Sequence, residues 1–159
     1  MEEDFVIESK NEHKDKVHGI LAHSYSVYFA FFLMGILFDF WFEVKITDIN
    51  SIKNSGIFFV IFASLLILWA QKTSRNLKKE SLSKDSFSKG PYAYTRSPTH
   101  WGLFFLMLGF GIMTEAIFVI LFALISLLVS RIVYLKKQEE ILEKKYGFPY
   151  IEYKKNVKL

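Results

Sequence analysis

From Leu21 to Phe42 the chain is almost wholly apolar or aromatic, and the stretch YSVYFAFFLMGILFDFWF within it carries one charge, Asp39. A helix of about twenty such residues spans a bilayer core. The sequence therefore dictates, before anything else, a membrane-spanning helix over 21–42. Three further apolar blocks follow. Ile57 to Ala70, which Ser55 or Asn54 can cap and Trp69 can anchor at an interface, predicts a second span over 55–73. Trp101 to Met113 and Ala116 to Val129 predict spans over 99–113 and 115–133. Only Thr114 and Glu115 separate these two, so they read as a tight helical hairpin. One unbroken helix is the alternative, and the poor helix propensity of Gly109, Gly111 and Thr114 counts against it.

The expected fold is all-α: a polytopic membrane protein with about four transmembrane helices, the last two a hairpin, and a cytoplasmic amphipathic C-terminal helix over about 132–146. At 159 residues the chain is long enough for one domain, 1–159. Charged residues make up 23% of a chain that is 52% hydrophobic, so the apolar content has to be segregated into blocks. The net charge of +4 lies beside those blocks, where membrane flanking accounts for it, and no nucleic-acid partner is expected. The absence of cysteine excludes disulfides, thiolate nucleophiles and Cys-based metal sites; no metal site is expected.

Met1 to His18 is mixed-charge and polar, unlike a signal peptide. Lys10, Lys14 and Lys16 precede the first span, and Lys72, Arg75, Lys78, Lys79, Lys84, Lys89 and Arg96 lie between the second and the third. The tail from Arg131 is lysine-rich, whereas the other side has Lys45 and Lys53. Both termini and the long connection are thus expected to face the cytoplasm.

In the tail, Leu135, Leu142 and Tyr146 stand four before, three after and seven after Glu139, which places this carboxylate within an apolar helical stripe. Glu140 instead shares a face of alternating charge with Lys136, Lys137, Glu143 and Lys144. The helix should end at Tyr146-Gly147, with the glycine as a left-handed cap and Pro149 preventing continuation. A last short turn carries Tyr150, Tyr153 and Val157 on one side and Lys154 and Lys155 on the other. A carboxylate on an apolar face needs a cation or several donors. Three partners compete for Glu139: the headgroup boundary, a structural bridge to Arg131 or Arg96, and a cationic ligand.

The segment KGPYAYTRSPTHWGLFF, Lys89 to Phe105, faces the same side of the membrane. Pro91 and Pro98 hold Gly90 and Ser97 away from helix, so backbone groups between them need partners from water or from a ligand. Arg96 can hold a carboxylate in bidentate fashion or snorkel to lipid phosphates. His100, Tyr92 and Tyr94 divide in the same way between binding and interfacial anchoring.

The order Gly90-Pro91-Tyr92-x-Tyr94-x-Arg96-x-Pro98-x-x-x-Gly102, an apolar hairpin, then Glu139-x-x-Leu142 and Tyr146-Gly147-x-x-Tyr150-x-x-Tyr153 with Val157, resembles the isoprenylcysteine carboxyl methyltransferase family. The related phospholipid methyltransferases share much of this pattern. The resemblance covers roughly Ile57 to Val157. It implies an integral membrane enzyme that transfers a methyl group from S-adenosylmethionine to a lipid-like or prenylated acceptor arriving from the bilayer, in a cell inner membrane or an endoplasmic reticulum. It implies that Gly90, Pro91, Tyr92, Arg96, Ser97, Pro98 and Glu139 bind the cofactor, with Glu140 taking part if the register shifts by one. Arg96 and His100 are the candidate catalytic residues; if the acceptor is an amine, His100 or a carboxylate can take its proton. Ser97 stands where the family carries histidine, and His100 where a tyrosine is common. Two other readings remain open: an NADPH-dependent reductase of the steroid 5-alpha-reductase type, and a non-catalytic membrane scaffold.

Overall fold

The computed structural model describes residues 2–42, 50–77 and 89–157, with side chains for 19, 22–42, 54–75, 89–144 and 146–157. Residues 43–49 and 78–88, with Lys45, Lys78, Lys79 and Lys84 among them, and the side chains of Lys10, Lys14, Lys16 and Lys53, lie outside the described residues. The elements are α1 (Glu2–Phe42), α2 (Asn50–Leu77), a 3₁₀ turn (Gly90–Ala93), α3 (Pro98–Thr114), α4 (Ile117–Val129), a π-helical segment (Ser130–Leu135), α5 (Lys136–Tyr146) and α6 (Phe148–Asn156). No strand occurs among the described residues. Among the described residues, three helical stretches are long and apolar enough to cross a membrane: Ala22–Phe42, Asn54–Arg75 and Ile117–Lys144. The 17-residue α3 packs against both α2 and α4, and α4 packs against α1.

On α2, side-chain size more than polarity decides which way the helix turns. On α2 the stripe Gly56, Val60, Ala63, Ile67, Ala70 faces α3 and is small or β-branched, while Phe58, Ile61, Leu65 and Leu68 point outward and are exposed. Small residues let apolar helices approach closely where hydrophobicity alone gives no preference for the interior. Gly109 is the facing partner: a Cβ on it would lie 2.8 Å from the Gly56 carbonyl oxygen, and one on Gly56 would lie 2.7 Å from that of Gly109. The glycines of α3 therefore sit inside the helix as contact surfaces. They do not interrupt it, as propensity alone suggests.

The break between α3 and α4 comes at Glu115, which is left-handed at φ 58°, ψ 27°. The Ala116 amide donates to the Gly111 carbonyl at 2.8 Å and the Glu115 amide to that of Ile112 at 3.4 Å, the pairing of a Schellman motif. Asp39 then closes the start of α4 from outside: its two carboxylate oxygens accept from the Phe118 amide at 3.1 Å and the Val119 amide at 3.0 Å. A carboxylate there meets both unsatisfied amides and the positive end of the helix dipole. The one charge in the first span is thus a cap supplied by a neighbouring helix.

Two boundaries differ from expectation. α2 begins at Asn50, so Asn54 and Ser55 lie inside it and neither caps it. α4 continues without interruption through the π-helical segment into α5, because no glycine or proline lies between Ile117 and Tyr146. The last apolar block and the polar tail are therefore one rod, and the tail's direction is set by the span. The rod does end at Tyr146, but Gly147 adopts φ 61°, ψ −136°, a conformation open to glycine and outside the left-handed helical region.

Candidate functional site

The proline-flanked segment is built against α2. Gly90 has φ 61°, and a Cβ there would lie 2.6 Å from Thr73 Oγ1 and 3.2 Å from Trp69 Nε1, so the turn sits where it does because residue 90 lacks a side chain. Pro91 is buried at the start of the 3₁₀ turn, and its carbonyl accepts from the Tyr94 and Thr95 amides, each at 3.2 Å. The Ser97 amide donates to Thr95 Oγ1 at 3.3 Å, and the Ser97 carbonyl accepts from the His100 and Trp101 amides. Much of the backbone hydrogen bonding between the two prolines is thus met within the segment, which leaves fewer groups for a ligand than the proline spacing suggests.

Side chains carry the connection to the tail. Arg96 Nη1 donates to Glu139 Oε1 at 2.5 Å, and Lys154 Nζ lies 2.8 Å from Glu139 Oε2 and 2.7 Å from Glu143 Oε1. The Glu139 side chain is only 8% exposed, against 15% for Arg96 and 37% for Lys154. Glu140, one residue along, faces solvent. The apolar stripe picked out by spacing is real: Tyr150, Tyr153 and Val157 are buried together with Leu142 and Tyr146 against them. Tyr153 donates its hydroxyl to the Tyr92 carbonyl at 2.8 Å, which ties α6 to the turn.

Electrostatics keep these phenols neutral. Burial, then the Glu139 charge, pushes the Tyr150 hydroxyl up; burial, then Tyr92, does so for Tyr153. Tyr92 is raised mainly by burial. Tyr150 and Tyr153 remain O–H donors beside the ion-pair network, whereas the Tyr92 hydroxyl turns toward Ser74 and Thr99. Lys154 is held above lysine's ordinary range, chiefly by its hydrogen bond to Glu139 and next by that to Glu143.

Ser97 and His100 turn elsewhere. With Trp101, Leu127, Ser130 and Arg131 they line a small pocket beside the π-helical segment. The His100 ring stacks on Tyr28 with centroids 6.0 Å apart, and its Nε2 is 2.6 Å from Ser24 Oγ. So the residues singled out from sequence fall into separate places: Arg96 meets Glu139, Tyr92 meets α6, Gly90 fastens the turn to α2, Pro91 and Pro98 are buried where their segments begin, Ser97 and His100 border the small pocket, and Glu140 is exposed. Among the described residues no cluster of three His, Cys, Asp or Glu side chains could hold a metal ion.

Sequence reasoning missed Lys154 and Ser24. Read as a short turn, the tail puts Lys154 opposite Tyr150 and Tyr153, yet Lys154 follows Tyr150 by four residues and flanks the buried stripe, a spacing that carries the signal. Nothing in the sequence distinguishes Ser24 from other serines near an apolar block.

Helices of this length and composition, with a polar network joining a turn to the tail, define an integral membrane protein of the helical class. The family model described as phospholipid methyltransferase matches residues 27–148. The chain belongs to that family of membrane methyltransferases, and the matched region includes Arg96 and Glu139 but ends before Tyr150, Tyr153 and Lys154. No curated protein and no solved structure matches the chain.

Proposed function

We propose that this protein transfers a methyl group from S-adenosylmethionine to a lipid acceptor, either a phospholipid or a prenylated molecule, at the cytoplasmic face of the membrane. The Arg96–Glu139 contact carries the reading. It joins the Gly90–Pro98 segment to the C-terminal helix at one point, and it places a guanidinium and a carboxylate side by side. Those two groups match the two charges on the amino-acid end of the donor: Glu139 suits its ammonium and Arg96 its carboxylate. When bound, the donor supplies an electrophilic methyl group on a sulfonium.

The protein's part is to hold, orient and exclude water. Tyr150 and Tyr153 flank the charged pair with neutral phenols, and burial around Glu139 strengthens its pull on a cation. In this reading His100, with Ser97 at the small pocket, or a carboxylate accepts the proton from an amine acceptor. In this reading α3, about 25 Å long at 1.5 Å per residue, is a short fourth span. The C-terminal rod emerges on the cytoplasmic side, as the distribution of basic residues favours.

The test is to purify the protein in detergent, supply methyl-labelled S-adenosylmethionine with a total lipid extract or a prenylated peptide, and locate the label. Label in a lipid or prenylated fraction is expected. No transfer, combined with no heat and no thermal stabilisation on titration with the donor, would favour a non-catalytic scaffold.

A further inference from the structure

We propose that Lys154 is a built-in competitor for the Glu139 carboxylate, occupying the seat that a ligand ammonium takes, and that Glu143 is where Lys154 stays when the seat is given up. This rests on the methyltransferase reading and adds to it a residue that sets how tightly the amino-acid end of the ligand binds.

The two oxygens of Glu139 are held differently. Oε1 pairs with Arg96, which is mostly buried and belongs to the proline-flanked segment. Oε2 pairs with Lys154, whose side chain is 37% exposed and sits at the end of a flexible four-carbon stem on α6. Ion pairs to exposed lysines are weak and readily exchanged. A primary α-ammonium has the same charge and the same three donors as the Lys154 ammonium, so it satisfies Oε2 in the same way. Both cations crowded at one oxygen would repel, which makes the two occupants alternatives.

Lys154 also has somewhere to go. Its Nζ lies 2.7 Å from Glu143 Oε1, and Glu143 is four residues beyond Glu139 on the same helical face. Letting go of Glu139 therefore requires a rotamer change and no unfolding of α6. Lys154 follows Gly147 and lies beyond the region matched by the family model, so this device belongs to the part of the chain that the model does not describe.

The test is equilibrium titration of the full chain in detergent with two probes. S-adenosylhomocysteine carries the primary ammonium, and 5′-methylthioadenosine keeps the nucleoside and thioether but lacks it. Lys154→Met should tighten S-adenosylhomocysteine binding about three- to tenfold, because the fraction of vacant seats rises. Lys154→Arg should leave it near the wild-type value. Glu143→Gln should weaken it a few-fold, and that effect should vanish in the Glu143→Gln/Lys154→Met double variant. The affinity of 5′-methylthioadenosine should be the same in all of them. An unchanged S-adenosylhomocysteine affinity in Lys154→Met, or equal shifts for both probes, overturns the competition while leaving the methyltransferase reading in place. Absence of S-adenosylhomocysteine binding by every form, each shown folded by a cooperative thermal transition, overturns that reading and this proposal together.

Discussion

The Tyr153 hydroxyl donates to the backbone carbonyl of Tyr92 at 2.8 Å, fastening the last helix of the chain to a turn that lies 61 residues earlier. Together with the Arg96–Glu139 pair it decides that the tail folds back over the proline-flanked segment. The candidate site exists only in that folded-back arrangement.

Tyr153→Phe keeps the buried ring and removes the bond, leaving the Tyr92 carbonyl without this donor. The expected loss is about 1 kcal/mol. Thermal unfolding in detergent should show a lower melting temperature, and S-adenosylhomocysteine should bind more weakly. An unchanged melting temperature would mean that apolar packing and the Lys154 ion pairs hold α6 without this bond.

Glu139 and Glu140 are adjacent in sequence and differ in burial, so they should differ in effect. Glu139→Gln leaves Arg96 facing a neutral amide and should destabilise the protein by about 3 kcal/mol, as breaking a buried pair does. It should also abolish cofactor binding. Glu140→Gln should stay within about 0.5 kcal/mol of wild type. Arg96→Lys keeps the charge and loses the planar fork, so it should lower both the melting temperature and the affinity. Comparable effects at 139 and 140 would show that the two faces of α5 are wrongly assigned.

Asp39 accepts from two amides at the start of α4, and Asp39→Leu removes both acceptors in an apolar setting. The cost should be about 2 kcal/mol, at the upper end for a helix cap. Asp39→Asn retains one acceptor and should lose less. Amide hydrogen exchange at Phe118 and Val119 would report the change directly, faster in Asp39→Leu than in Asp39→Asn.

The Lys154 ion pairs should also have a pH signature. Lys154 is held above the ordinary lysine value of 10.5, with the hydrogen bond to Glu139 the largest cause. A raised value means that the contribution to stability is fully present below about pH 10.5 and is lost as pH rises through the higher folded value. The melting-temperature difference between wild type and Lys154→Met should therefore be flat from about pH 7 to about pH 10 and shrink above that. A difference that shrinks below pH 9 would place the titration on another group.

Much of this protein follows from local chemistry along the chain. Apolar blocks the length of a bilayer make helices wherever they occur, and so the spans at Ala22–Phe42 and Asn54–Arg75 and the helical hairpin after Trp101 are legible in residue order alone. Spacing along one helix likewise separates Glu139 from Glu140, because a period of 3.6 residues depends on no other part of the molecule. The tertiary structure decided which residues meet across helices. It made Asp39 a cap for α4, turned Gly56 and Gly109 into a close contact, sent His100 toward Ser24, and gave Glu139 both Arg96 and Lys154 as partners. Those choices depend on where the helices cross, and helices equally apolar on every face carry no local signal for that.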